Sequence, residues 1–452
     1  MLRSVNPATL GIIADTDIMS DEEIDRIIRS AHRRFTAWRS VPVEERAARL
    51  DALAASLRRY AETAADIISI EMGKPVTQAR AEIEKCAVAC AYYAREAPSM
   101  LASEGIPFDG AHARIVHEPL GVLLAIMPWN FPYWQSIRAL VPAIVAGNTV
   151  VIKPAPEVTL SAESLQRIIQ DAGLGDGIVS TLRANIEQTG RCIEHRLVAG
   201  VTFTGSTGAG RAVAARAGQA LKKTVLELGG SDAVLVCSDA DVAMAARIAA
   251  ASRLVNNGQS CIAAKRCIVM RSVLEEFEQA LSREMQGAVM GDPRDPATTL
   301  GPMARADLVA TLHAQVTDSV RMGARVVLDG GPTGTGCFFA PMIIGDVTRG
   351  MPLYDEEPFG PVMSIIAAET DEEMVRLAND TPYGLGATVV STDSARASRI
   401  ASAVEAGMVF INDMVRSDAR LPFGGVKHSG WGRELGPHGI LEFVNVKTVV
   451  GA

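Results

Sequence analysis

Residues 201–211 read V-T-F-T-G-S-T-G-A-G-R. The apolar run predicts a strand that ends at Gly205, and a helix that begins near Thr207. Backbone N–H groups at such a helix start can receive a pyrophosphate. The glycine order is G-x-x-G-x-G, not the common dinucleotide fingerprint G-x-G-x-x-G. Taken alone, the segment serves equally well as a plain strand–turn–helix junction.

Working outward, the same rhythm repeats. The runs G-V-L-L-A-I-M from 121 and N-T-V-V-I-K from 148 are each followed by a helical stretch. That alternation is the pattern of a parallel sheet with crossover helices. A second series starts near S-D-A-V-L-V, with a helix predicted over 239–256, a strand over 266–270 and a helix over 272–288. It runs through R-V-V-L-D-G-G and P-V-M-S-I-I-A-A to about 410. Upstream, residues 20–101 read as helical, with Ile24, Ile27, Ile28 and Ala31 on one face after a Ser/Asp cap. Residues 105–119 change to turn residues and short alternating pieces, as in a hairpin, and F-V-N-V-K-T-V-V closes the chain as a strand. Both pieces are apolar enough to pair with another subunit.

The chain has 452 residues, 48% of them hydrophobic and 21% charged, which predicts a soluble protein of two or three domains. A net charge of −8 argues against nucleic acid and anionic membranes as partners. No apolar run approaches a membrane span, and the first residues do not read as a signal peptide. Seven cysteines, with no C-x-x-C, exclude a disulfide framework or structural zinc as expectations and make a reduced, cytoplasmic setting the default. No metal is expected.

Four residues stand where chemistry could be carried. Lys153 ends the strand T-V-V-I-K, at the carboxyl end where parallel sheets bind ligands; a solvated strand-end lysine is the alternative. Glu227 lies in V-L-E-L-G-G. Desolvation there would raise its pKa towards a general base's range, unless a salt bridge makes it structural. Asn130 lies in P-W-N-F-P, where two prolines stiffen the backbone. A side-chain amide so held can donate to a developing oxyanion, although a plain turn asparagine reads the same way. Cys261, in N-N-G-Q-S-C, needs thiolate character to act as a nucleophile. A single cysteine is more often an inert buried thiol, the reading given to Cys86, Cys90, Cys192, Cys237, Cys267 and Cys337.

The ordered set P-W-N-F-P, K-P-A at 153–155, F-T-G-S-T, L-E-L-G-G, N-N-G-Q-S-C, G-P-M at 301–303, E-E-P-F-G-P at 356–361 and P-F-G-G-V-K-H-S-G-W-G-R-E at 422–434 resembles the aldehyde dehydrogenase superfamily over essentially the whole chain. The resemblance implies an α/β fold with a Rossmann-type cofactor domain (1–104 and 120–229), an α/β catalytic domain (230–430) and a small β oligomerisation element (105–119 and 431–452). It implies Cys261 as nucleophile, Glu227 as general base and Asn130 as oxyanion donor. Ser206 and the adjacent helix start would meet the cofactor phosphates, Lys153 the adenosine ribose, Glu357 the nicotinamide ribose and Phe359 the nicotinamide side. Trp129, Pro156, Gly205 and Gly229 complete the implied cofactor set. Glu227 favours hydrolysis to free acid over transfer to coenzyme A.

Within the family, the segments I-M-P-W-N-F-P-Y-W-Q, N-G-Q-S-C-I-A-A-K-R, G-D-P-R-D and S-D-A-R-L-P-F-G-G-V-K are most similar to bacterial succinate-semialdehyde dehydrogenases of about 450 residues. A distal carboxylate needs a cation near the entrance, and arginine can bind it bidentately. Arg138, Arg253, Arg416, Ser417 and Arg420 are the implied substrate set, with Arg138 expected at the site mouth. Longer members carry an arginine six positions before the nucleophile; Val255 stands there. NAD-selective members carry Glu three positions after the lysine; Pro156 stands there, so NAD and NADP are both expected to serve. A homodimer or homotetramer is expected. The alternatives are an aldehyde dehydrogenase for another small aldehyde, a cofactor-independent thiol esterase and a catalytically silent homologue.

Overall fold

The computed structural model describes residues 1–109 and 111–451. Gly110 and Ala452, which fall inside the predicted oligomerisation element, lie outside the described residues.

Two mostly parallel sheets dominate. The first has six strands in the order Gly430–Trp431, Lys223–Glu227, Val198–Thr204, Val122–Ile126, Thr149–Lys153, Val179–Thr181. All are parallel except the antiparallel edge Gly430–Trp431. The chain winds outwards from Val122–Ile126 in one direction and then returns to its other side with Val198–Thr204. That reversal leaves a crevice at the carboxyl ends of the central strands, where open α/β sheets bind ligands.

Helices cover both faces, as a parallel sheet requires. Asp21–Trp38 buries Ile24, Ile28 and Ala31 against Val122, Leu124 and Val151. Its start is sealed by a capping box: Ser20 Oγ accepts from Glu23 N at 3.2 Å, and Glu23 Oε2 accepts from Ser20 N at 2.8 Å. Such a cap is worth about 1 kcal/mol. The other face carries Val43–Arg59, Ala61–Met72 and Val76–Met100, which join Leu123, Ala125 and Ile152 in one core.

The second sheet has seven strands, ordered Arg325–Leu328, Met342–Gly345, Val362–Ala368, Arg266–Met270, Ala233–Val236, Gly386–Val390, Met408–Ile411. Only the edge strand Arg325–Leu328 is antiparallel. The third sheet is small: Val444–Gly451 pairs with Ala111–Pro119, which pairs with Glu104–Phe108.

Two features differ from the sequence reading. A hairpin of Leu2–Val5 with Ile12–Thr16 precedes the first helix. Residues 431–443 do not join the small sheet. Trp431 pairs with Leu226 in the first sheet, and Gly436–Leu441 is a helix that buries Ile440 in the first core. An apolar residue on a short helix looks the same in sequence whichever core receives it.

Candidate active site

One cavity of about 470 Å³ opens between the two large sheets. Its wall includes Trp129, Asn130, Lys153, Pro156, Gly205, Ser206, Gly229, Cys261, Glu357 and Phe359. Every residue of the implied cofactor set, the cysteine and the asparagine therefore meet in one place.

The cofactor end is built by the sheet. Val198–Thr204 delivers Gly205 and Ser206, and the helix Thr207–Gln219 begins there. Ser206 Oγ accepts from Ala209 N at 3.4 Å, leaving the N–H groups of Thr207 and Gly208 without partners among the described residues. A side chain at Gly208 would meet open space. An unsatisfied, accessible helix start fits a pyrophosphate. Burial lowers the pKa of Lys153, opposed by Glu157. Glu357 lies across the cavity, where Oε1 accepts from Gly230 N at 3.1 Å. Gly229 permits this approach, because a Cβ there would fall 2.4 Å from Glu357 Oε2. Phe359 stands edge-on to Trp129, with centroids 5.8 Å apart. These groups fit a pyridine dinucleotide.

The thiol end is a strained loop bolted to its surroundings. Asn256, Asn257 and Gly258 take φ of +55°, +57° and +76°. Left-handed asparagines cost roughly 1–3 kcal/mol each and persist only when the surroundings hold them. Here they do. Asn257 Nδ2 donates to Gly73 O at 2.8 Å and Pro302 O at 2.9 Å, and its Oδ1 accepts from Gly301 N at 2.7 Å. Asn256 Nδ2 donates to Asn130 O at 2.8 Å, tying the two loops together. Gly258 packs on the backbone of Gly360, only 2.3 Å from where a Cβ would stand.

Asn130 is buried, and its Nδ2 donates to Gln259 O at 2.9 Å. An amide nitrogen carries two protons, so one remains to donate into the cavity. Cys261 is the one cysteine of the seven that is not buried. Burial of its sulfur nevertheless pushes the thiol up to about 12, opposed by the charges of Lys265 and Arg138. Lys265 was not found from sequence. It is buried beneath the cysteine, donating to Ser260 O at 2.9 Å and to Cys261 O, and lying 3.3 Å from Glu357 Oε1.

Glu227 ends its strand and is 2% exposed. Neither carboxylate oxygen has a hydrogen-bond partner among the described residues. Burial, and then the Glu434 charge, raise its pKa well above the usual carboxylate range; Arg138 and Arg433 oppose them. Its neighbours Leu228 and Gly229 line the cavity, but Glu227 does not. Its Oε1 lies against Gly424.

None of the four arginines of the implied substrate set lines the cavity. Arg138 does not face the mouth. It is 3% exposed, ion-paired with Glu434 and stacked 4.3 Å from the Phe423 ring centroid. Arg253 is fully buried and spent on the backbone, donating to Gly258 O and, at 3.4 Å, to Pro358 O. Arg416 and Arg420 are exposed, paired with Asp413 and Asp418. Ser417 is buried and accepts from Trp134 Nε1 at 3.1 Å and Lys85 Nζ at 2.7 Å. The sequence shows arginine spacing; it does not show which distant carboxylate or carbonyl claims each guanidinium. Arg305 was also missed. It lines the cofactor end and pairs with Glu157 at 2.7 Å.

Two parallel sheets with a dinucleotide-sized crevice ending at a thiol and an amide define a dehydrogenase-type architecture. The chain belongs to the aldehyde dehydrogenase family, whose model matches residues 1–449. It is 43% identical over 447 residues to the succinate semialdehyde dehydrogenase [NAD(P)+] Sad of Escherichia coli (strain K12), covering 99% of this chain and 97% of that protein. It is 41% identical to a probable succinate-semialdehyde dehydrogenase [NADP(+)] of Synechocystis, covering 99% of each. The crystal structure of succinic semialdehyde dehydrogenase from Streptococcus pyogenes in complex with NADP+ superposes with a TM-score of 0.97, at 37% identity and 99% coverage of both chains.

Proposed function

We propose that this protein oxidises succinate semialdehyde to succinate with NAD or NADP, through a thioester on Cys261. The observation that carries the reading is the convergence of Cys261, Asn130, Lys153, Ser206 and Glu357 on one cavity. The similarity to the succinate-semialdehyde dehydrogenases of Escherichia coli and Synechocystis supports the substrate.

Cys261 attacks the aldehyde carbon as its thiolate, the nucleophilic form, its proton leaving to water while the Lys265 and Arg138 charges offset part of the burial that raises the thiol. The Asn130 amide and the Cys261 N–H then receive the oxyanion; losing one such donor typically costs about 10²–10³ in rate. A bound nicotinamide supplies the hydride acceptor that leaves a thioester at Cys261. Lys153, the Ser206 helix start and Glu357 would hold that cofactor. Glu227 takes a proton from the water that hydrolyses the thioester. Its raised pKa and unpartnered oxygens suit it to accept that proton. Because its carboxyl rests outside the cavity wall, a side-chain rotation precedes this step.

Self-assembly through the small sheet belongs to the same reading. Val444–Gly451 is an edge strand with Val446 and Val450 exposed, and open apolar edges pair with other chains. A cytoplasmic location is the setting in which a free catalytic thiol persists. Among the described residues no helix is long and apolar enough to cross a membrane.

The test is an aldehyde panel run with each cofactor, reading reduced nicotinamide by absorbance. The reading expects the highest kcat/KM with succinate semialdehyde. Turnover of esters alone, with no cofactor reduced, contradicts it.

A further inference from the structure

A buried cation stands beneath the cysteine without a step of its own in the reaction. Lys265 ends the stretch C-I-A-A-K that begins at Cys261, and its side chain is fully buried. A buried charge is costly unless its hydrogen bonds are met. Two of its protons go to Ser260 O, at 2.9 Å, and to Cys261 O. The third is left for Glu357 Oε1, 3.3 Å away. Burial lowers the pKa of Lys265, and the charges of Glu357 and Asp232 oppose this. Its backbone is held as firmly as its tip. Lys265 N donates to Asp232 O at 2.9 Å, and its carbonyl accepts from Ser364 N at 3.0 Å. The ammonium is therefore mounted on the end of the second sheet.

Glu357 comes from the separate loop E-E-P-F-G-P, and its two oxygens face different surroundings. Oε1 is engaged twice, accepting from Gly230 N at 3.1 Å and facing the Lys265 ammonium. Oε2 accepts no hydrogen bond among the described residues. It lies over Gly229, a wall residue of the cavity, 2.4 Å from where a Cβ there would stand. A Cβ on the next residue, Gly230, would stand 2.7 Å from Cys261 O. The carbonyl of the cysteine and the carboxylate of Glu357 thus meet beside one glycine pair, and one ammonium touches both.

We propose that Lys265 is a positioning residue for the cofactor. It holds Glu357 Oε1 against the cysteine loop, so that Oε2 alone is presented to the hydroxyls of the nicotinamide ribose. The assignment rests on the reading of Glu357 as a cofactor ligand. It adds that the thiol and the ribose are both placed from one ammonium. The two charges also act on the thiol with opposite sign: Lys265 lowers the pKa of Cys261 and Glu357 raises it. A buried lysine serves the fold as well, so the test reads cofactor affinity and thiol ionisation rather than turnover.

Dissociation constants for NAD and NADP are measured by titration calorimetry on wild type, Lys265→Gln, Glu357→Gln and the double variant. Glutamine keeps donors for the two carbonyls without the charge. Each single variant is expected to weaken binding roughly tenfold, the effect of one lost charged hydrogen bond. The double variant should bind no more weakly than Glu357→Gln alone, because residues that act as one unit are not additive. Lys265→Arg is expected to recover part of the loss. Losses that multiply in the double variant overturn the assignment, since Lys265 then acts independently of Glu357. Unchanged binding in Glu357→Gln overturns the reading of Glu357 itself, and the assignment with it.

The second readout is the rate at which iodoacetamide alkylates Cys261, the one cysteine that is not buried, at fixed pH without cofactor. Lys265→Gln should slow it and Glu357→Gln should speed it, each roughly threefold to tenfold through the thiolate fraction. A purely structural defect would not give opposite signs. Should the Lys265 variants fail to fold, Glu357→Gln decides. Faster alkylation supports the shared charge contact, and an unchanged rate overturns it.

Discussion

Two buried charge clusters flank the candidate site, and they are satisfied in opposite ways. On the second-sheet side, Lys265 holds Ser260 O, Cys261 O and Glu357, while Arg266 donates to Ser231 O, Leu377 O and Ala378 O. These cations are wrapped in carbonyls. On the first-sheet side, Arg138 faces Glu434, and both oxygens of Glu227 lack a hydrogen-bond partner among the described residues. A satisfied cluster holds geometry; an under-satisfied carboxyl has a proton affinity available for chemistry. The difference suits Lys265 to positioning the cysteine loop and Glu227 to the deacylation proposed for it.

The comparison can be broken in several places. The largest expected effect is that of Cys261→Ala, which abolishes aldehyde oxidation while the unfolding midpoint in urea stays near that of wild type. Next comes Lys265→Met, which strands Glu357 and two carbonyls. Removing one partner of a buried pair costs roughly 3–5 kcal/mol, so urea unfolding should move by that much. Unchanged stability would remove the positioning role.

Arg138→Met acts on the other cluster. Arg138 lowers the pKa of both Glu227 and Glu434, so its loss raises them further. The acidic limb of the kcat profile for deacylation should move to higher pH by about one unit or more. A limb that stays in place separates Arg138 from Glu227.

The smallest effect concerns Asp232. Burial pushes its carboxyl up to about 6, from an ordinary 3.8. A raised acid favours the protonated folded state, so its contribution is intact below about pH 4 and is lost as pH rises through about 6. The span corresponds to roughly 3 kcal/mol at most. Asp232→Asn should flatten the dependence of urea stability on pH in that window.

The sequence was most informative where function and backbone coincide. The strand ends at Lys153 and Gly205, the helix start at Ser206, and the loops at Asn130 and Cys261 follow from apolar periodicity, turn residues and the family's ordered motifs. Strand 266–270 was read to the residue. Pairings between distant segments were not legible. Arg138 meets Glu434, Lys85 meets Ser417, and Lys265 meets Glu357 across elements far apart in the chain. Periodicity reports which face of an element is apolar, and says nothing of the element that will lie against it. The same limit misplaced residues 431–443.

The central claim is a thioester on Cys261 that Glu227 removes. It is tested most directly by mixing Glu227→Gln with cofactor and succinate semialdehyde and measuring the intact mass of the protein. The account predicts a succinyl adduct on Cys261 that accumulates while reduced nicotinamide appears in a single stoichiometric burst. Steady turnover at the wild-type rate with no adduct would contradict it.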